Sequence, residues 1–139
     1  MRINNPSFEI WQQGQGIDGV YKQIERVGRV CYKSEDHTTP DSARPFVERM
    51  IKSEHFAMLE HGSVYLLFDI EPVAEAGNAT ELPWQFYAAN KFSRCVERSG
   101  KLYVTTNLRV LAENDRLDDL QAYWSEPSPL HPVRVTVHF

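Results

Sequence analysis

The stretch MIKSEHFAMLEHGSVYLLFDI, Met50–Ile70, decides how the chain is read. Its second half alternates. Val64, Leu66, Phe68 and Ile70 share one face and Tyr65, Leu67 and Asp69 the other, the period of a half-buried strand. Its first half closes a helix, because Phe46, Val47, Met50 and Ile51 repeat at helical spacing. Asp41 or Ser42 is the expected N-cap, and Pro45 falls in the first turn, where a missing N–H does no harm. The connection from helix to strand carries His55, Glu60 and His61, two of the chain's five histidines among them.

Upstream, Ile17, Val20, Tyr21, Ile24, Val27 and Cys31 are spaced as the apolar stripe of a helix over about 17–31, with Lys22, Glu25, Arg26 and Arg29 between them. Cys31 is expected to be a small buried residue of that stripe. Downstream, residues 71–100 read as a long irregular excursion with a helical piece near 84–97. KLYVTTN is a strand. Leu108, Leu111, Leu117, Leu120 and Trp124 restore helical spacing, with a break near Asn114. SEPSPLHP is a loop, and VRVTVHF alternates as a last strand. Helices and strands mix without a βαβ rhythm, so the expected class is α+β, an antiparallel or mixed sheet with packed helices. The 139 residues suit one domain. They stop at Phe139, inside a strand pattern, so that single domain, 1–139, looks incomplete.

A net charge of −4 with pI near 5.7 argues against a protein that coats nucleic acid or anionic membrane. No apolar run approaches the ~20 residues of a membrane span, and the N-terminus lacks the apolar core of a signal peptide. Cys31 and Cys95 form no C-x-x-C pair, and a reduced, cytoplasmic protein is expected. Asn78-Ala79-Thr80 matches a glycosylation sequon and is read as coincidence in that setting.

His55, Glu60 and His61 leave three readings open. A histidine after a helix C-terminus can serve the last carbonyls. A metal site is the second, but H-x-x-x-x-E-H is neither H-E-x-x-H nor H-x-x-E-H, and no further ligands cluster nearby. The third is a flavin or nucleotide site, where imidazole and carboxylate meet a polar ring edge. No Gly-rich phosphate loop is present, so a phosphate would need arginines. Arg94, Arg98 and Arg109 are read as solvated helix positions, and Trp84, Phe86, Tyr87 and Phe92 as core or interface.

RVGRVCYKSED followed by DSARPFVERMIKSEHFAMLEHGSVYLLF resembles the N-terminal part of the flavin-dependent thymidylate synthases over about residues 15–70. There an R-x-C-Y-x-S segment precedes a helix that ends in K-x-G-H-x-S-x-x-E-H, and a strand follows. YVTTNLRVLAEN and VRVTVHF resemble an insertion, here about 71–131, and a strand of some members. The resemblance implies an FAD site to which His55, Glu60 and His61 contribute, with no catalytic residue or metal ligand carried over. Tyr32 and Ser34 belong to the first segment without an assigned role.

The activity implied is conversion of dUMP to dTMP, with NADPH and methylenetetrahydrofolate as co-substrates, in a homo-oligomer, a tetramer in the family. Two positions depart from the pattern: Glu54 stands where the family has Gly, and Ala57 where it has Ser. The Arg-His-Arg-x-x-Ser signature is absent from 1–139 and would follow the last strand. The expectation is therefore an N-terminal portion, inactive alone; the alternative is a non-catalytic remnant or interaction module that keeps the fold. His55 is expected to face a concave surface shared with Glu60 or His61.

Overall fold

The computed structural model describes residues 7–70, 83–117 and 135–138. Four strands form one antiparallel sheet, packed with helices, as the α+β reading expects. In chain order the elements are α1 (Gly16–Tyr32), α2 (Ala43–Lys52), β1 (Ser63–Asp69), α3 (Pro83–Ala89), β2 (Arg94–Arg98), β3 (Lys101–Asn107), α4 (Leu108–Glu113) and β4 (Val135–His138). A short 3-10 turn at Glu35–His37 precedes α2, and another at Phe56–His61 joins α2 to β1. The strand order is β2-β3-β1-β4, and every described pairing is antiparallel.

The alternation in β1 sets the core. Val64, Leu66 and Phe68 are buried, joined on the same sheet face by Leu102, Val104 and Thr106 of β3. Val20 and Ile24 of α1, Phe46, Val47 and Met50 of α2, and Leu108 and Leu111 of α4 complete the cluster. Tyr65, Val96 and Tyr103 lie on the opposite, exposed face. Close packing of α1 depends on two glycines. A Cβ on Gly28 would come within 2.6 Å of the Phe46 ring, and one on Gly62 within 2.6 Å of both Ile24 and Val20. Gly62 thus lets the turn before β1 lie directly on α1.

The structure corrects several expectations. The helix near 84–97 stops at Ala89, and Arg94–Arg98 is an edge strand. Ser99 and Gly100 both have positive φ (51° and 70°), the type I′ hairpin geometry that pairs β2 with β3. Cys31 is exposed rather than buried. Gly28 meets Phe46, and α1 runs a further turn past that contact, carrying Cys31 into solvent.

Ser42 is the N-cap residue of α2, but its hydroxyl turns back to Thr39, accepting from its N–H at 2.8 Å and donating to its carbonyl at 3.0 Å. The helix begun at Leu108 ends at Glu113. Asn114 closes it, its side chain donating to the Val110 carbonyl at 2.8 Å. Leu120, Trp124, the SEPSPLHP loop and the Asn78 sequon lie outside the described residues. Trp84 and Tyr87 pack edge-on and tilted against Phe68, which fits their core reading. No described helix is long and apolar enough to cross a membrane.

Candidate functional site

Both α1 and α2 end in the same motif. At α1, Ser34 N–H donates to the Arg29 carbonyl at 2.9 Å and Lys33 N–H to Val30 at 3.2 Å. At α2, His55 N–H donates to Met50 at 2.9 Å and Glu54 N–H to Ile51 at 3.0 Å. These paired bonds are Schellman closures, which need a left-handed residue just past the helix. Lys33 (φ 50°) and Glu54 (φ 56°) occupy that position. Glu54 is thus a residue whose left-handed backbone favours glycine.

The closures aim two side chains at each other. Tyr32 Oη lies 3.3 Å from His55 Nδ1, although the two are 23 residues apart in sequence. They line a concave surface of about 490 Å³ together with Glu54, Phe56, Ala57, Met58, Arg109 and Glu113. Phe56 and Met58 supply apolar area, and Tyr32, His55 and Arg109 supply polar groups.

Arg109, on α4, also lines this surface. Its Nη1 donates to Glu60 Oε1, and its Nε donates to Glu113 Oε2 at 3.1 Å. Its guanidinium also lies 4.9 Å from the centre of the Phe92 ring. These bonds hold the Glu113 carboxyl below its ordinary pKa, the hydrogen bond from Arg109 being the main cause. Arg109 is therefore a bridging residue, not the solvated one expected, whereas Arg94 and Arg98 are exposed on β2.

His55 lines the concave surface, but neither Glu60 nor His61, expected to share it, is among the lining residues. Glu60 reaches it only through Arg109. His61 ends the 3-10 turn in solvent, and no hydrogen bond or ion pair joins it to His55 or Glu60 among the described residues. No group of three or more His, Cys, Asp or Glu that could hold a metal occurs among the described residues. Sequence reasoning missed Tyr32, Arg109 and Glu113. Tyr32 was within reach, because it sits inside the R-x-C-Y-x-S segment; Arg109 and Glu113 carried no local signal.

No family model, curated protein or solved structure matches the chain.

Proposed function

We propose that the chain is the N-terminal part of a flavin-dependent thymidylate synthase, and that the surface around Tyr32 and His55 receives the polar edge of the isoalloxazine ring of FAD. The observation that carries this reading is the meeting of the two resembling segments. Tyr32 of the first and His55 of the second stand 3.3 Å apart on one concave surface. The donor set suits such a ring. A phenol hydroxyl and an imidazole can each donate or accept, matching the alternating carbonyl and N–H groups of the pyrimidine portion. Phe56 and Met58 offer apolar area for the ring body.

The charge inventory suits the ring better than the pyrophosphate. Among the described residues lining the surface, the arginine, Arg109, already binds two carboxylates, and Glu54 and Glu113 add negative charge. The phosphates would be held by other residues, and the dUMP, folate and NADPH sites, like the homo-oligomer, come with the family reading. Bound flavin would supply the hydride chemistry; Tyr32 and His55 would orient the ring.

The second reading, a non-catalytic module that keeps the fold, is favoured by the same occupied arginine. Titration of the full chain with FAD, riboflavin and ADP separates the outcomes. Riboflavin should bind and compete with FAD, and ADP should not. Failure of both flavins to bind rejects the flavin reading. The 139 residues alone should release no tritium from labelled dUMP above a protein-free blank, since the Arg-His-Arg signature is missing; release above it would contradict this.

A further inference from the structure

We infer that Arg109 is a positioning residue for the concave surface, holding the Phe56–His61 turn against α4. The turn forms one wall, through Phe56, Ala57 and Met58. The bonds at its two ends are long, 3.3 Å from Met58 N–H to the His55 carbonyl and 3.2 Å from Gly62 N–H to the Leu59 carbonyl. Short 3-10 segments have poorer bond geometry than α-helix, and Leu59 is the turn's only buried residue. Little within the turn fixes its exposed side.

The fixing comes from outside. Leu108 N–H donates to the Gly62 carbonyl at 2.9 Å, tying the start of α4 to the far end of the turn. The Asn107 side chain caps α4 by accepting from Val110 N–H at 3.2 Å, which sets the helix direction. Arg109 then projects from an oriented helix. Its fork grips Glu60 on the turn with one nitrogen and Glu113 on its own helix with two others, at 3.1 and 3.4 Å. Glu113 fixes the guanidinium, and the guanidinium fixes Glu60. A planar fork can bridge two carboxylates in this way, whereas an ammonium on a flexible stem cannot hold both in one fixed geometry. Arg109 also neutralises two carboxylates at the rim, so its loss would open the wall and make the surface more acidic.

The clamp itself follows from the contacts; its effect on ligand binding rests on the flavin reading. The test uses the full chain and the variants Arg109→Gln, Arg109→Lys and Glu60→Gln, with two readouts. Amide hydrogen exchange should rise by roughly two- to fivefold in the turn for Arg109→Gln, with α1 and β3 unchanged, because a local opening has lost an outside restraint worth what a partly exposed ion pair supplies. Riboflavin affinity should fall by a similar factor, and Arg109→Lys should lie between wild type and Arg109→Gln in both readouts. Unchanged exchange in the turn, or an equal rise throughout the chain, overturns the clamp. Faster exchange with unchanged affinity overturns its positioning role. If Arg109→Gln does not fold, Glu60→Gln decides by the same criteria. If wild type binds no flavin, the flavin reading fails while exchange still decides the clamp.

Discussion

Arg29 and Arg109 make similar contacts in different surroundings. Each lies over a phenylalanine at 4.9 Å, Phe46 for Arg29 and Phe92 for Arg109, and each binds a glutamate four residues away on its own helix. Arg29 binds Glu25 at 2.8 and 3.1 Å with both side chains almost fully buried, at 10% and 3% exposure. Arg109 is 24% exposed, and its partners Glu60 and Glu113 are more open still. A buried pair costs heavily when one partner is removed, because the other charge is stranded. An open one costs little, because water takes over. The first pair therefore belongs to the fold, and the second is suited to shaping a surface.

The largest effect should follow from stranding Glu25. Arg29→Met is expected to destabilise the chain by roughly 3–5 kcal/mol in denaturant titration, and Glu25→Leu with Arg29→Met to recover most of that loss. A double variant as unstable as the single one would remove the distinction between the two arginines. Next comes Gly28→Ala, which forces a Cβ into the Phe46 ring at 2.6 Å and should cost about 1–3 kcal/mol by overpacking. An unchanged midpoint would mean that α1 and α2 can part without penalty.

A smaller gain should come from Glu54→Gly, about 1 kcal/mol of added stability, since glycine adopts the left-handed closure of α2 without strain. The same change removes a carboxylate from the concave surface and should not weaken flavin binding. A loss of stability would show that Glu54 makes compensating contacts.

The smallest effect concerns pH. Because Arg109 lowers the folded pKa of Glu113, that carboxylate's contribution is present above its ordinary value of 4.5 and fades as pH falls below it through the depressed folded value. Comparing the acid limb of thermal unfolding in wild type and Glu113→Gln checks this. The wild-type advantage should vanish at low pH and be partly screened by salt.

The helices and β1 were legible because burial there follows simple periods: Val20 and Ile24 on α1, Phe46, Val47 and Met50 on α2, Val64, Leu66 and Phe68 on β1. β2 was not, because an edge strand needs little apolar alternation. Arg94, Val96, Glu97 and Arg98 are all exposed and only Cys95 is half-buried, so the run looked like a polar helix end. The Ser99–Gly100 pair was the available signal. At the site, His55 was legible from its neighbours in sequence. Its pairing with Tyr32, 23 residues away, was not, and neither was the bond from Arg109 to Glu60, which spans 49 residues. Such pairs are made by two helix ends and a strand–helix junction meeting in space, and no local pattern records them.

On the proposed reading, Tyr32 and His55 form one flavin-contacting pair. Riboflavin titration of wild type, His55→Ala, Tyr32→Phe and the double variant, with chemical denaturation of each, tests it most directly. His55→Ala is expected to weaken binding by roughly 1–3 kcal/mol, the range for a lost hydrogen bond that strands its partner, while changing stability by less. The two losses should be non-additive, since the side chains are in contact. Unchanged affinity with a destabilised fold would make His55 a helix-terminal residue only and contradict the site assignment.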